Sequence, residues 1–334
     1  MTDSRTSILA IHPGALGDVI LFGHLLAGLG EPGESGQSAR AITLVAGGEK
    51  ARLLAGAGVV DAAMDFDSLP IHELFTDVPL SNCRLRSMLG EHERIVSCFV
   101  EAGSSEADRL VRMCGARELA ALPIRPPADF EGHLTDLWRR QLGLTAPVSH
   151  ATWNIPPSWR AVAAEALGGL GAGRGGRYVV IHPGAGATDK CWALERFVTV
   201  AAELRKAGVD VVFALGAVEL DRWPGERISH LGEAGEILAG APLTQLAGVL
   251  AGAAAFVGND SGVAHLAGAV GTPTVALFGP TSEMHFSPLG RCVRCVAAET
   301  MDGIPVGRVF DTTRAIVDCH PRPSDAGPEG EVRL

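Results

Sequence analysis

The chain has 334 residues, 47% of them apolar and 5% aromatic, with seven cysteines and a formal net charge of −10. That length and apolar content supply two buried cores of roughly 150 residues each, and the acidic balance argues against nucleic acid, whose phosphates are bound by a surplus of Lys and Arg. Residues 1–150 carry 13 basic and 19 acidic side chains, so the first half is no basic module either.

The apolar run over 7–11 reads as a buried parallel strand that breaks at His12-Pro13-Gly14-Ala15, because Pro cannot donate a ladder hydrogen bond and Gly tolerates unusual backbone angles. Ile11-His12-Pro13-Gly14-Ala15 returns unchanged as Ile181-His182-Pro183-Gly184-Ala185 behind a second apolar run over 178–181. Such a repeat predicts two similar halves, each with a ligand-binding loop at the carboxyl end of its first strand. Gly14, Gly17, Gly184 and Gly186 are expected to shape these loops, with His12 and His182 assisting. After Gly17-Asp18, the residues Val19, Ile20, Leu21, Leu25 and Leu26 form a helical apolar face.

A second strand is expected over 41–46, a helix over 50–57, a third apolar segment over 59–66 and a central strand over 94–99. Residues 67–92, rich in polar and turn residues, read as an excursion over the sheet. The first domain is placed at 1–155. A linker follows at 156–176, where Pro156-Pro157, a helix over 158–167 and a Gly-rich stretch change the composition. The second domain, 177–310, alternates strands at 178–181, 210–215, 254–257 and 274–278 with helices at 194–207, from about 219, at 243–251 and at 263–270, plus a short apolar segment at 228–231. This alternation predicts parallel, doubly wound sheets. A helical stretch over 312–317 and a disordered Pro-rich tail complete residues 311–334.

No dinucleotide or P-loop fingerprint follows either first strand, which disfavours a nicotinamide enzyme. The segment from Val257 to His265 instead ends a strand and opens a helix, leaving the amides of Ser261, Gly262 and Val263 at its positive end, an attractive place for phosphate. Capping of an ordinary helix by Asp260 or Ser261 explains the same residues equally well. Thr188 and Lys190 follow the second glycine loop. Lys190 is one of three lysines against 25 arginines, which favours a phosphate role over a solvated surface position. Glu219 is placed either to accept ribose hydroxyls or to face the first turn of a helix, and His265 either to reach the phosphates or to pack. Asp18 reads first as a helix cap or first-turn carboxylate worth about 0.5–1 kcal/mol; the sharper alternative is a general base facing an interdomain cleft. Cys292, Cys295, Cys319 and His320 could in principle hold zinc. Adjacent residues rarely both reach one metal and the second knuckle of a zinc ribbon is missing, so no metal is expected.

Four blocks, ALGDVILF, HPGAGATDKCWALERF, LGAVE and GNDSGVAHLAGAVGTPTVALFGPT, match in order and spacing the pattern of glycosyltransferase family 9, which the chain resembles over residues 8–281. The resemblance implies a GT-B fold: α/β, two facing Rossmann-like domains with parallel sheets. It also implies metal-independent, inverting transfer of a heptose from ADP-heptose to a lipopolysaccharide-core or related glycan or glycolipid acceptor, with no cofactor. By this resemblance Asp18 is the catalytic base, Thr188 and Lys190 bind the diphosphate, Glu219 binds ribose, Asp260 contacts the sugar, and Ser261, Gly262 and Val263 form the phosphate-binding helix start. Members commonly carry a basic residue where this chain has His12, and Thr where it has Ser261. A non-catalytic nucleotide-sugar-binding protein and a sugar-nucleotide epimerase remain as alternatives on the same architecture. The longest apolar stretches, such as 246–258, fall short of the roughly 20 residues of a membrane span, and the N-terminus lacks the profile of a signal peptide. Odd cysteine usage fits a reducing compartment. The expected location is therefore the cytoplasm, with peripheral contact at the inner membrane for a glycolipid acceptor.

Overall fold

The computed structural model describes residues 6–30, 40–172 and 176–319. The chain divides into two compact units, Met1–Asn154 and Ile155–Leu334. The first holds the strands β1 (Thr6–Ile11), β2 (Arg40–Ala46), β3 (Ala62–Asp65), β4 (Arg94–Ser97) and β5 (Glu118–Ala121) in the order β3-β2-β1-β4-β5. Every pairing is parallel. The chain winds outward from β1 in one direction and then restarts at β4 on the other side, so the order reverses between β1 and β4. Loops diverge at such a switch point and open a crevice at the carboxyl ends of the strands.

The central strand is apolar throughout its buried part: Ile8, Leu9 and Ala10 have no exposed surface, as expected of a parallel strand covered on both faces. Helix Leu16–Gly30 follows it and buries Val19, Ile20, Leu21, Leu25 and Leu26, the face read from the sequence. Residues 66–92 are three 3₁₀ turns and the helix Arg84–Leu89, which pack Leu69, Leu74, Leu85 and Leu89 against Leu9, Ile11 and Ile95 of the sheet. Helices Gly48–Gly56, Ser105–Cys114 and Leu134–Gln141 and strand β5 complete the unit.

The second unit holds β6 (Tyr178–His182), β7 (Asp210–Leu215), β8 (Glu236–Ala239), β9 (Ala255–Asn259), β10 (Thr274–Phe278) and β11 (Val293–Ala297) in the order β11-β10-β9-β6-β7-β8. All of its pairings are parallel. Its switch point lies between β6 and β9, where His182 and Gly258 stand opposite each other. Both strands are fully buried. These two doubly wound parallel sheets are the architecture that the alternating pattern predicts.

Residues 157–170, read from the sequence as part of a linker, form the helix Pro157–Leu170 of the second unit, starting with Pro at its first position. It crosses helix Leu243–Gly252 so closely that a Cβ on Gly248 would lie 2.4 Å from the carbonyl oxygen of Trp159. Residues 228–231 lie inside the helix Gly225–Ala234, which buries Leu231 and Ala234; the strand that pairs with β7 comes after it, as β8. The C-terminal helix runs over Val306–Cys319, longer at its start than the stretch expected at 312–317. The expected tail beyond it, and residues 173–175 of the Gly-rich stretch, lie outside the described residues.

Candidate functional site

In the second unit the loops after β6 and β9 are tied together by a residue the sequence reading did not single out. Asn259, fully buried at the end of β9, accepts the Trp192 N–H at 3.1 Å and donates its amide to the carbonyls of Pro183 at 2.9 Å and Gly184 at 3.3 Å. One side chain therefore fixes both ends of the 183–192 loop against the helix start at 261–263, and its carbonyl and amide groups are all used, as a buried amide requires. The Trp192 ring closes the floor of this loop: it is 1% exposed, meets Phe197 edge-on at 4.9 Å, and donates its indole N–H to Ile304 O at 3.2 Å.

That bracing brings Lys190 to Asp260. The ammonium lies 2.8 Å from Asp260 Oδ2, with 30% of the Lys190 side chain and 9% of the Asp260 side chain exposed. The Thr281 hydroxyl, from the loop after β10, donates to the same oxygen at 2.8 Å. Ser261 is the N-cap of helix Gly262–Ala269, its hydroxyl accepting the Ala264 N–H at 3.4 Å. The helix has no internal acceptor for the N–H groups of Gly262 and Val263, which leaves them for an anion. His265, the fourth residue of that helix, is 5% exposed. Thr188 is exposed in the 3₁₀ turn Thr188–Lys190 that carries the lysine.

Glu219 is 5% exposed and reaches back to cap its own helix: its Oε2 accepts the Gly216 N–H at 2.8 Å. Its other oxygen faces Gly184, where a Cβ would fall 1.9 Å from Oε1 and 2.5 Å from the carboxyl carbon. Glycine at 184 is therefore required by the Glu219 carboxylate and not by a left-handed backbone angle. Gly184→Ala must displace that carboxylate from the Gly216 N–H and should lower stability by about 1–3 kcal/mol, the cost of disturbing a buried charged hydrogen bond; an unchanged midpoint in urea unfolding would show that the loop gives way instead. Gly186 differs, since it is exposed, has no positive φ, and a Cβ there would meet nothing. The fold itself has no need of glycine at that position. His182 is buried and donates from Nδ1 to Ala214 O at 2.8 Å; burial lowers its pKa, against the pull of Glu219, and it holds β6 to β7 as a neutral ring.

In the first unit Gly17 and Asp18 are the second and third residues of helix Leu16–Gly30, so Gly17 belongs to the helix start and not to the loop it was expected to shape, and Asp18 is a first-turn carboxylate rather than the cap. Its Oδ1 is 3.3 Å from Arg125 Nη1, with 21% of the Asp18 and 63% of the Arg125 side chain exposed. Beside it, His12 is wholly buried. Its Nδ1 accepts the Gly14 N–H at 3.1 Å, and a Cβ on Gly14 would lie 2.6 Å from Cε1 of that ring, which is why the loop needs glycine there. Burial, opposed by the Asp18 charge, lowers the His12 pKa to about 4, so this position holds a neutral imidazole. A cation arrives from elsewhere: Lys50 Nζ donates to Gly14 O at 2.6 Å from the helix Gly48–Gly56. The Cys98 thiol, at the start of the loop after β4, is pushed up by burial and then by the Asp18 charge, so it stays protonated.

The thiols of Cys83, Cys98, Cys114, Cys191, Cys292, Cys295 and Cys319 are all free. Cys292 and Cys319 line one cavity with Arg294, Thr312, Ala315 and Ile316, but among the described residues no three His, Cys, Asp or Glu side chains are placed to hold a metal ion; His320 lies outside them. No described helix is long and apolar enough to cross a membrane.

Two Rossmann-like units, one with a carboxylate and the other with a lysine and a capped helix start at the switch points of their sheets, define a protein of the GT-B type. The model of glycosyltransferase family 9 (heptosyltransferase) matches residues 133–307, more than half of the chain. This protein belongs to that family. Among curated proteins it is 33% identical over 157 residues to a lipopolysaccharide heptosyltransferase 3 of Escherichia coli, a match that takes in 44% of each chain, so the similarity spans less than half of the relative's length. Among solved structures, a family 9 glycosyl transferase of Veillonella parvula shares its fold with a TM-score of 0.77 at 18% identity, over 96% of this chain and 99% of that one. The ADP-heptose lipopolysaccharide heptosyltransferase II of Escherichia coli does so with a TM-score of 0.71 at 18% identity, over 94% and 99%. Heptosyltransferase WaaC of Escherichia coli with ADP gives 0.66 at 18% identity, over 93% and 100%.

Proposed function

We propose that this protein transfers a heptose from ADP-heptose to a hydroxyl of a lipopolysaccharide-core or related surface-glycan acceptor, with inversion and without a metal ion. The observation that carries the reading is the convergence, through Asn259, of Lys190, Asp260 and the free amides of Gly262 and Val263 at one switch point, with Glu219 on the neighbouring strand end. A lysine beside a helix N-terminus is a receptor for a diphosphate. Asp18, from the other unit, takes the proton of the acceptor hydroxyl. The oxygen then attacks the anomeric carbon on the face opposite the diphosphate, the bond from that carbon to the diphosphate oxygen breaks, and ADP departs. The charge that develops on the leaving diphosphate is met by Lys190 and by the Gly262 and Val263 amides, groups already in place before the reaction. A carboxylate of Glu219 suits the two ribose hydroxyls, and Asp260 suits a hydroxyl of the sugar. The work falls on the cytoplasmic side, where a nucleotide-sugar is available, at the inner membrane surface when the acceptor is a glycolipid.

Thermal shift with ADP, UDP and GDP tests the donor first: a nucleotide at about 100 times its Kd raises stability by roughly 2.7 kcal/mol. A shift with ADP alone is the expected result, and no shift with any of them removes the donor assignment. Incubation with ADP-heptose and a core-oligosaccharide acceptor in excess EDTA should still release ADP and give a product of inverted anomeric configuration by NMR. Loss of turnover with EDTA would refute metal independence, and a retained configuration would refute direct displacement. Lys190→Ala should weaken ADP binding by about tenfold, since it removes one partly buried charge-assisted contact; an unchanged Kd would take the lysine out of the donor site.

A further inference from the structure

Asp260 Oδ2 receives two donors, Lys190 Nζ and Thr281 Oγ1, each at 2.8 Å. The pairing poses a problem for any ligand that needs the lysine. A diphosphate bound at the amides of Gly262 and Val263 lies within two or three residues of Asp260 along the chain and competes with it for the same ammonium. Asp260 is 8% exposed, and a carboxylate oxygen stripped of its partners at that depth is costly. We propose that Thr281 is a positioning residue of the donor site: its hydroxyl keeps the Asp260 carboxylate in place when Lys190 turns to a nucleotide diphosphate. This rests on the donor reading above.

The loop that carries Thr281 is built to hold still. β10 ends at Phe278, and Gly279 packs so tightly on Met301 that a Cβ would lie 2.8 Å from the Met301 amide nitrogen and 2.7 Å from its sulfur. Met301 is itself buried in the core of the unit. Lys190 stands at the end of a flexible four-carbon stem in a loop braced at its ends, whereas the Thr281 hydroxyl sits on a short side chain two residues beyond the packed Gly279. The division of labour follows: a mobile cation shared between protein and ligand, and a fixed hydroxyl that holds the carboxylate for a sugar hydroxyl at Oδ1.

A double-mutant cycle on ADP affinity, measured by calorimetry on the full chain, separates this role from a merely structural one. Thr281→Val should weaken ADP by about tenfold and Thr281→Ser should stay within about twofold of the unaltered protein, because only the hydroxyl matters. In a Lys190→Ala background, Oδ2 has the same partners before and after ADP binds, so adding Thr281→Val should change the Kd by less than about twofold. An equal loss in both backgrounds, or no loss in either, overturns the proposal. Should Thr281→Val not fold, as judged by its melting curve, Thr281→Ala gives the same cycle. Failure of the unaltered protein to bind ADP at all would instead sink the donor reading itself, and the role of Thr281 with it.

Discussion

Replacing Asp18 with Asn is expected to lower the turnover of heptose transfer by roughly 10²- to 10⁴-fold, the range lost when a positioned general base is removed, while ADP affinity stays within about twofold. Asn has the shape of Asp and cannot take a proton from the acceptor. The ion pair it breaks, with Arg125 at 3.3 Å, is largely solvent-exposed on the arginine side and contributes little to stability. Asp18 is not among the proposed donor ligands, so ADP binding should be indifferent to the change. No alternative base stands ready beside it: His12 accepts a backbone N–H through Nδ1 and is buried, and Cys98 holds its proton. Steady-state rates with ADP-heptose and an ADP titration on the same preparation give the two readouts. Turnover within about threefold of the unaltered protein would remove Asp18 from the proton transfer.

From the sequence Asp18 reads as a cap or first-turn carboxylate, and only the family resemblance favours a base. The structure places the carboxylate in the first turn, at the third helical residue, where it pairs with the side chain of Arg125. That pairing spans 107 positions of the chain. The same holds for the other residues missed. Asn259 acts across 67 to 76 positions, Lys50 across 36 and Thr281 across 21. None of these contacts leaves a mark at the short periods from which helices and strands are read. What was legible were the repeated strand-loop corners and the helix start at 261–263, because strand ends, glycine loops and caps are local.

The strands show the same division. β5, β8 and β11 were not read from the sequence, and all three are edge strands of their sheets. An edge strand is covered on fewer sides and so needs no continuous apolar run: Glu118–Ala121 buries none of its residues fully and Val293–Ala297 carries an exposed Arg294 as its second residue. Central strands such as Tyr178–His182 and Ala255–Asn259 are buried at every position, and their apolar runs stood out. Helix Ser105–Cys114 is a different kind of miss, because its signal was present. Ser104 caps it through Ala107 N, and the buried positions Ala107, Leu110, Met113 and Cys114 fall at helical spacing.

Acidification from pH 6.5 toward pH 4 is expected to remove about 3 kcal/mol of stability through His12 alone, given a fall in pKa from 6.5 to about 4 on folding. Burial is the largest cause. The Asp18 carboxylate opposes it, and Lys50 and Arg125 add to it. The folded protein lacks a place for the second proton: Nδ1 already accepts the Gly14 N–H, so a proton there would set donor against donor, and Phe22 and Trp138 pack on the ring at 5.3 and 6.2 Å. Between pH 6.5 and 4 the unfolded chain therefore binds a proton that the folded chain refuses, and stability rises with pH across that window. The contribution is fully present above 6.5 and is lost as pH falls to 4. His92 and His182 are shifted in the same direction by burial, so the chain as a whole should lose more than His12 accounts for. His12→Asn isolates the one residue: Asn can still accept the Gly14 N–H through its side-chain oxygen but does not titrate. Urea unfolding at pH 7.5, 5.5 and 4.5 should show a steep loss for the unaltered protein and a loss smaller by about 2–3 kcal/mol for the variant. Parallel curves would mean that the imidazole is protonated as readily folded as unfolded, and that the corner before Asp18 carries a charge after all.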